Sequence, residues 1–531
     1  MLRFAPLFRL VPWLIILLTW PLAGLDTPVR AVWPPVVAVA VILATRHALV
    51  GLLVGGFCGA VILAGGDPWQ AWLAIFADHL APSMASTWKT GAIAFTLVLG
   101  GFAAVLDAGG GFHGLLLRLT RGDHDADRRF QAAAAGLGLL CFFDGLANSM
   151  MVGRVSRRLA DRCGTSRVKL AYIVDSTSSA VACVAVVSTW IAFQLSMIRE
   201  AFALIGRDVN PYAEFLASLP YNFHCWFTLV LLGVSISRRW NPGPMGRFET
   251  AARNSVVAHG DGDPAGGSTA SALVPLAVLL LSFFGGFYVL GTDGPLLPVT
   301  RDRIVASFGS DAGPLVMVLA GLVATVVAVL LFPAKPAARI PAAGRAFADG
   351  MRMMFGPVLI LVAAWILGST MSALGTAELI AAMATGTEAA PLVPVLVFIT
   401  GALVSFATGT SWGTMGILFP LAIPAAAGAM TGASAAETAT FLHVTVAAVF
   451  SGAVFGDHCS PFSDTTIVSS ISCGIEPHDH VRTQIPFALI AGAVAALVGF
   501  VPAGLGMPAW ISLVSGLAVL TLLPRLFQTS R

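Results

Sequence analysis

The chain has 531 residues, of which 57% are hydrophobic and only 11% charged; the mean hydropathy is +0.85 and the formal net charge +3. Soluble domains carry about 25% charged residues, so this composition excludes a string of soluble domains, and a charge of +3 gives no footprint for nucleic acid. Apolar runs recur from end to end, many long enough for a hydrocarbon core of about 30 Å, and they are continuous rather than alternating. The fold class expected is therefore an all-α polytopic membrane protein.

In chain order, residues 1–89 hold the first transmembrane helices. They begin with MLRFAPLFRLVPWLIILLTW, read as an uncleaved first helix rather than a signal peptide. Residues 69–81, WQAWLAIFADHLA, have the amphipathic pattern of a segment lying at an interface. Residues 90–239 form a first repeat, and 240–270 a polar, Gly/Pro-rich linker. Residues 271–352 form connecting transmembrane helices with a Pro/Ala-rich loop at 333–350, 353–506 a second repeat, and 507–531 a C-terminal helix. About twelve to fifteen apolar segments result. The Lys/Arg clusters Arg118–Arg129, Arg154–Lys169, Arg238–Arg253 and Lys335–Arg352 are expected on the cytoplasmic side. The seven cysteines form no CxxC and read as small apolar residues.

A shift of 313 positions places Asp144 on Asp457 and Ser156 on Ser469. LDAGGGF at Leu106–Phe112 also resembles SALGTAE at Ser372–Glu378, but at a different offset. Residues 154–169 contain six Lys/Arg and the matching 467–482 one. Opposite charge bias implies opposite orientation, so the expectation is two inverted repeats with broken helices or re-entrant hairpins and a site near the midplane.

Four polar stretches interrupt apolar surroundings: FFDGLANSMM with Asp144 and Asn148; VDSTSSAVACVAVVSTW with Asp175, Ser176 and Thr177; SFATGTSWGTMGILFP with Thr408, Thr410 and Ser411; and GDHCSPFSDTTIVSS with Asp457, Ser460, Asp464 and Thr465. An ionised Asp at the bilayer centre costs on the order of 3 kcal/mol or more, so it persists where it is paired, solvated or functional. Carboxylate and hydroxyl oxygens are hard ligands for cations, and Gly409, Gly413 and Gly416 permit a broken helix whose backbone carbonyls join them. A single Ser or Thr is as readily explained by a bond to the carbonyl one turn back; four clusters beside Asp or Gly are not. No Walker A pattern, HExxH or Ser-His-Asp arrangement occurs, so neither ATP-driven pumping nor catalysis is expected, and no cofactor.

FATGTSWGTMGILFPLAIP with GAVFGDHCSPFSDTTIVSS resembles the signature region of the NhaC family of Na⁺/H⁺ antiporters, and FFDGLANSMMVGR with KLAYIVDSTSSAVACVAVVSTW resembles its first-half counterparts. The resemblance spans residues 90–500 and is densest at 400–485. It implies an inner-membrane secondary transporter of the wider ion-transporter superfamily, with inverted repeats, hairpins whose Ser/Thr-rich tips meet at the site, and often a homodimer with elevator-like motion. It also implies a cation site at the twelve residues named above, with Na⁺ or Li⁺ as cargo; Asp144, Asp175, Asp457 and Asp464 are the candidates for the residue that carries the proton. Relatives of this family include exchangers of organic acids such as malate and lactate, so Na⁺- or H⁺-coupled transport of a small organic acid or amino acid is the alternative. A membrane scaffold with a vestigial site and a membrane enzyme using His458 and Asp464 are the further alternatives.

Overall fold

The computed structural model describes residues 13–120, 125–254 and 267–528, apart from 293, 295, 309, 311 and 387. Every regular element among them is helical. The principal helices are α1 (Val29–Thr45), α2 (Ala48–Leu63), α3 (Thr87–Ala108), α4 (Gly111–Leu119), α5 (Ala126–Leu140), α6 (Gly145–Cys163), α7 (Arg167–Val184), α8 (Thr189–Ala203), α9 (Phe223–Arg238) and α10 (Ala270–Gly291). They continue with α11 (Gly313–Leu330), α12 (Pro336–Met353), α13 (Phe355–Ala373), α14 (Thr376–Ala384), α15 (Val393–Thr408), α16 (Ser411–Ala429), α17 (Ala435–Asp457), α18 (Asp464–Cys473), α19 (Pro477–Val494) and α20 (Ala509–Gln528).

Eight helices among the described residues are long and apolar enough to span a bilayer, or eleven if each sharply bent pair is one span. This is fewer than the apolar segments of the sequence, because several of those segments are half-length helices that stop at internal breaks. Pro68–Ala85 turns 115° away from α2; Trp69, Trp72 and Phe76 are exposed while Ala71 and Ile75 are buried, the amphipathic face that an interfacial segment requires. Two expected loops are helical. The 333–350 stretch becomes α12, which Pro336 starts at its first turn and whose alanines favour helix. The 240–270 segment contains the helix Met245–Asn254, anchored by Glu249, which accepts from Ser166 Oγ at 2.7 Å. All seven cysteines are free.

The helices α3–α8 and α13–α18 are two copies of one six-helix unit, and their caps set the register. Gly110 and Gly375, 265 positions apart, are both left-handed and both start a nine-residue helix. Asp144 and Thr410 each cap the outgoing arm of a hairpin through a side-chain bond to a backbone N–H. Ser166 and Ser434 cap α7 and α17 in the same way, and Ser188 and Ser463 stand at the N-caps of the half-helices α8 and α18. The 313-residue shift is therefore corrected. Asp144 lies at a hairpin tip and Asp457 at the end of a broken helix, so the two are not equivalent; the Leu106–Ser372 pairing carried the correct offset. In the corrected register, the Lys/Arg-rich 154–169 faces residues 420–435, which contain no Lys or Arg, so the charge asymmetry sharpens.

Cross-packing repeats the symmetry. Hairpin arm α6 packs on half-helix α18, and hairpin arm α16 packs on half-helix α8. Apolar packing gains little between helices in lipid, so close approach of small residues supplies the contact. Gly153 of α6 meets Ser472 of α18, and Gly456 of α17 meets Ser405 of α15, where an added Cβ would lie 2.3 Å from the backbone carbon.

Candidate functional site

Four interruptions of the helices converge: the tip between α5 and α6, the tip between α15 and α16, and the breaks inside α7–α8 and α17–α18. Each leaves backbone N–H and C=O groups without intrahelical partners. In a membrane these must be satisfied locally, and this is why Asp, Ser and Thr accumulate at those points.

At the first tip, Asp144 Oδ1 accepts from the Ala147 N–H at 2.6 Å and Oδ2 accepts from Thr189 Oγ1 at 2.7 Å. Thr189 is the first residue of α8, and its N–H donates to the Phe143 carbonyl at 2.8 Å, so one carboxylate ties a hairpin tip to the break of its own repeat. Asn148, one turn along, donates to the carbonyls of Gly138 and Thr177, both at 2.8 Å; it holds the hairpin arms and α7 together rather than facing open space.

The second tip is built without a carboxylate. Gly409 is left-handed at φ +69°, and a Cβ there would lie 2.5 Å from the Phe462 backbone, so only glycine lets this tip nest against the break after α17. Thr410 Oγ1 accepts from the Gly413 N–H at 3.2 Å. Thr408 Oγ1 donates to the Val404 carbonyl at 2.7 Å, the bond of a hydroxyl one turn back.

At the second break, Ser463 Oγ donates to Asp457 Oδ1 at 3.2 Å. Thr465 and Thr466 donate to the Asp457 carbonyl at 3.2 and 2.8 Å. The hydroxyls of Ser411 and Ser179 stand beside the same carboxylate. Among the described residues, Asp457 Oδ2 and Ser179 Oγ are buried without a hydrogen-bond partner. Ser460 is buried in the loop, where its Oγ accepts from the Phe462 N–H at 3.2 Å.

A cavity of about 240 Å³ opens where these points meet. It is lined by Asp144 from the first tip, Thr189 and Trp190 from the first break, Gly409, Thr410 and Ser411 from the second tip, and Asp457, Ser463, Asp464 and Thr465 from the second break. Met353, Met354 and Pro357 form its apolar side. Six of the sequence-derived residues therefore share one wall: Asp144, Thr410, Ser411, Asp457, Asp464 and Thr465. Asp464 is exposed at the start of α18, whereas Asp144 and Asp457 are buried. The remaining six lie elsewhere. Thr408, Ser460 and Asn148 hold backbone in place. Asp175, Ser176 and Thr177 lie in α7, whose residues 168–183 are all buried, and Asp175 turns toward α18 and α19 instead of the cavity. Its Oδ1 accepts from Ser469 Oγ at 3.3 Å and its Oδ2 from Gln484 Nε2 at 2.7 Å.

Thr189 and Ser463 were not singled out from sequence. Both stand at the first turn of a half-helix, inside stretches already marked as polar, so the cap pattern is the signal that would have found them. His443 of α17 has its Nε2 2.9 Å from Glu214 Oε2.

A larger cavity of about 690 Å³ lies further along the same helices, lined by α8 from Ala192 to Ala203, α13 from Ala364 to Ala373, and the start of α3. Lys89 and Glu200 form an ion pair of 2.5 Å within it. Trp412, packed on Trp190 and Phe193 with ring centroids at 6.4 and 4.5 Å, belongs to the helices that both cavities share.

The sequence profile of the Na⁺/H⁺ antiporter family matches residues 181–505. An uncharacterised Haemophilus influenzae protein is 28% identical over 498 residues, covering 91% of this chain and 92% of its own. A malate-2H⁺/Na⁺-lactate antiporter of Bacillus subtilis is 35% identical over 106 residues, 19% of this chain and 21% of its own. Among solved structures, the Alcanivorax borkumensis YdaH transporter superposes with a TM-score of 0.58 at 15% identity, covering 83% of this chain and 90% of that one. The Neisseria gonorrhoeae efflux pump MtrF does so at 0.50 and 11% identity, covering 91% and 94%. At these identities, the structural likeness concerns the fold.

Proposed function

The chain belongs to the Na⁺/H⁺ antiporter family and is a multi-pass integral protein of the inner membrane, and from that premise we propose that it is a secondary transporter exchanging Na⁺ or Li⁺ for H⁺ by alternating access. The cavity carries this reading: both hairpin tips and both helix breaks open on it, and three carboxylates, Asp144, Asp457 and Asp464, share its wall with the hydroxyls of Thr410, Ser411 and Ser463. Hard oxygens of this kind suit an alkali cation. Asp457 is the central ligand, buried with one oxygen unpartnered among the described residues. A carboxylate that holds Na⁺ does not hold a proton, and competition between the two is the minimum required for exchange. The two six-helix units give the alternation a mechanical basis, since their cross-contacts α6–α18 and α8–α16 are the same pair exchanged.

A second reading keeps the fold and changes the cargo to a small carboxylate or amino acid driven by Na⁺ or H⁺. The volume of about 240 Å³, well beyond one bare cation, favours it, as do the α16 N-terminus at Thr410–Ser411, whose free N–H groups suit an anion, and the similarity over 106 residues to the malate/lactate exchanger.

Purified protein in liposomes with an imposed pH gradient and an internal pH dye separates the two. Exchange predicts that Na⁺ or Li⁺ collapses the gradient in the wild type and that Asp457→Asn abolishes the response. No response to any cation, with uptake of labelled malate, lactate or an amino acid instead, overturns simple exchange in favour of the second reading.

A further inference from the structure

Outside the cavity lining, where α7 meets α18 and α19, lies a second cluster of ionisable groups. Asp175 of the first unit is fully buried, and all its side-chain partners come from elsewhere: Ser469 of α18, Gln484 of α19, and His480 of α19, whose Nε2 lies 3.4 Å from Asp175 Oδ2. Neither ring nitrogen of His480 has a hydrogen-bond partner among the described residues, and Gln484 Oε1 has none. His458, the residue after Asp457, adds a second imidazole: its Nδ1 lies 3.3 Å from His224 Nε2 of α9, and its own Nε2 has no partner among the described residues. His458 lies within electrostatic range of both Asp175 and His480. A buried imidazole left without partners beside a buried carboxylate is costly unless a proton is shared between them.

We propose that Asp175 and His480 form the proton-holding centre of the exchanger, separate from the cation cavity; this rests on the reading of the chain as a cation/proton exchanger. The placement supplies both an exit and a coupling. His480 lies one turn inside α19, whose first residues, Glu476 and His478, are exposed. The turn before it, at Gly474, sits beside Arg167, at the end of the molecule that carries the basic cluster Arg154–Lys169. A proton leaves the pair toward that face without crossing the cation cavity. The coupling runs through α18. Its N-terminal Asp464 and Thr465 line the cavity, while Ser469, one turn on, donates to Asp175. A cation drawing in the N-terminus of α18 displaces Ser469 and changes the support of the Asp175 carboxylate. The balance is one proton per cycle: the carboxylate–imidazole pair takes up a proton from the opposite face when the cation leaves there and releases it to the basic face when a cation enters from that face.

Of the other titratable groups on the packed elements, His458 lies within electrostatic range of His480, Lys169 and Tyr172 of α7 pack on Phe487 of α19, and Asp457 and Cys473 lie within electrostatic range of Asp175. Lys169 is engaged elsewhere, its Nζ donating to Asn241 Oδ1 at 2.8 Å, and Cys473 is a buried thiol. Among the described residues, the Asp175 oxygens bond to Ser469 and Gln484 and to none of these groups.

The test compares two fluxes in proteoliposomes for wild type, His480→Gln and Asp175→Asn. One is Na⁺-driven proton movement; the other is ²²Na⁺/Na⁺ self-exchange, which needs the cation site but no net proton. The proposal expects both variants to keep self-exchange while losing Na⁺-driven proton movement by at least about tenfold, together with the pH dependence of self-exchange. Asp175→Asn keeps an acceptor for Gln484 and serves if the His480 variant is not monodisperse. Variants that move protons like the wild type overturn the proposal and leave exchange standing. A monodisperse variant that loses both fluxes places the pair in the cation site and also overturns it. A wild type that moves no proton in response to Na⁺ overturns the exchange reading itself, and the proposal with it.

Discussion

The two hairpin tips occupy equivalent places in the two six-helix units and solve the same problem with different chemistry. Each must cap a helix that starts inside the bilayer. Asp144 does so at the first tip and Thr410 at the second, so one cap brings a negative charge and the other none. The neutral tip sits against the unit that has Asp457 and Asp464 at its break; the charged tip sits against the unit whose break, at Ser188 and Thr189, is neutral. Each unit thus brings carboxylates from one of its two interruptions: Asp144 from the tip of the first, Asp457 and Asp464 from the break of the second. Backbone symmetry is kept and charge symmetry is dropped, which limits the like-charge repulsion that acidic residues at all four interruptions would create.

Removing the asymmetry gives the largest expected effect. Asp144→Thr makes both tips neutral and keeps a side chain that caps, so the protein should fold while cation-evoked proton flux falls by roughly a hundredfold, as expected when a charged group at a site is lost. Asp144→Asn preserves the cap better still and should lose flux to the same extent; a variant that retains wild-type flux would make the first tip purely structural. The measurement is flux in liposomes, normalised to monodisperse protein.

How far this asymmetry was legible in the sequence can be argued from single residues. All four interruptions lie inside the polar stretches marked at the outset, because a helix end in a membrane demands local hydrogen bonding and therefore Asp, Ser, Thr and Gly. The pairing of the repeats was not legible from charge. Matching Asp144 to Asp457 follows the most conspicuous residue, whereas the true register is carried by Gly110 with Gly375 and Ser166 with Ser434, residues chosen for backbone geometry. The direction of Asp175 was hidden for a different reason: residues 168–183 of α7 are buried on every side, so no periodicity distinguishes the face toward the cavity from the face toward His480. His224, alone in YNFHCW, gave no signal at all.

The second tip is sharpened by backbone rather than charge. Gly409→Ala adds a Cβ 2.5 Å from the Phe462 backbone at a residue with φ +69°. Overpacking against main chain and left-handed strain together predict a loss of about 2–4 kcal/mol, read as a lowered melting temperature in detergent. Gly136→Ala is the control, since nothing lies within 4 Å of its added Cβ, and stability should be unchanged.

The smallest effects separate two threonines that the sequence presents as one cluster. Thr410→Val removes the cap bond to the Gly413 N–H and should cost about 1 kcal/mol, along with a weaker apparent affinity for the cation, because the same hydroxyl lines the cavity. Thr408→Val removes only a hydroxyl that donates to the Val404 carbonyl, an acceptor that takes part in the helix in any case. The β-branched shape is conserved and no buried acceptor loses its last partner, so stability should move by no more than about 0.5 kcal/mol. The half-saturating Na⁺ concentration should not move at all. A weaker affinity in Thr408→Val would mean that the helix end itself, with its exposed carbonyls, contributes to the cation site, and that the neutral tip does more than cap.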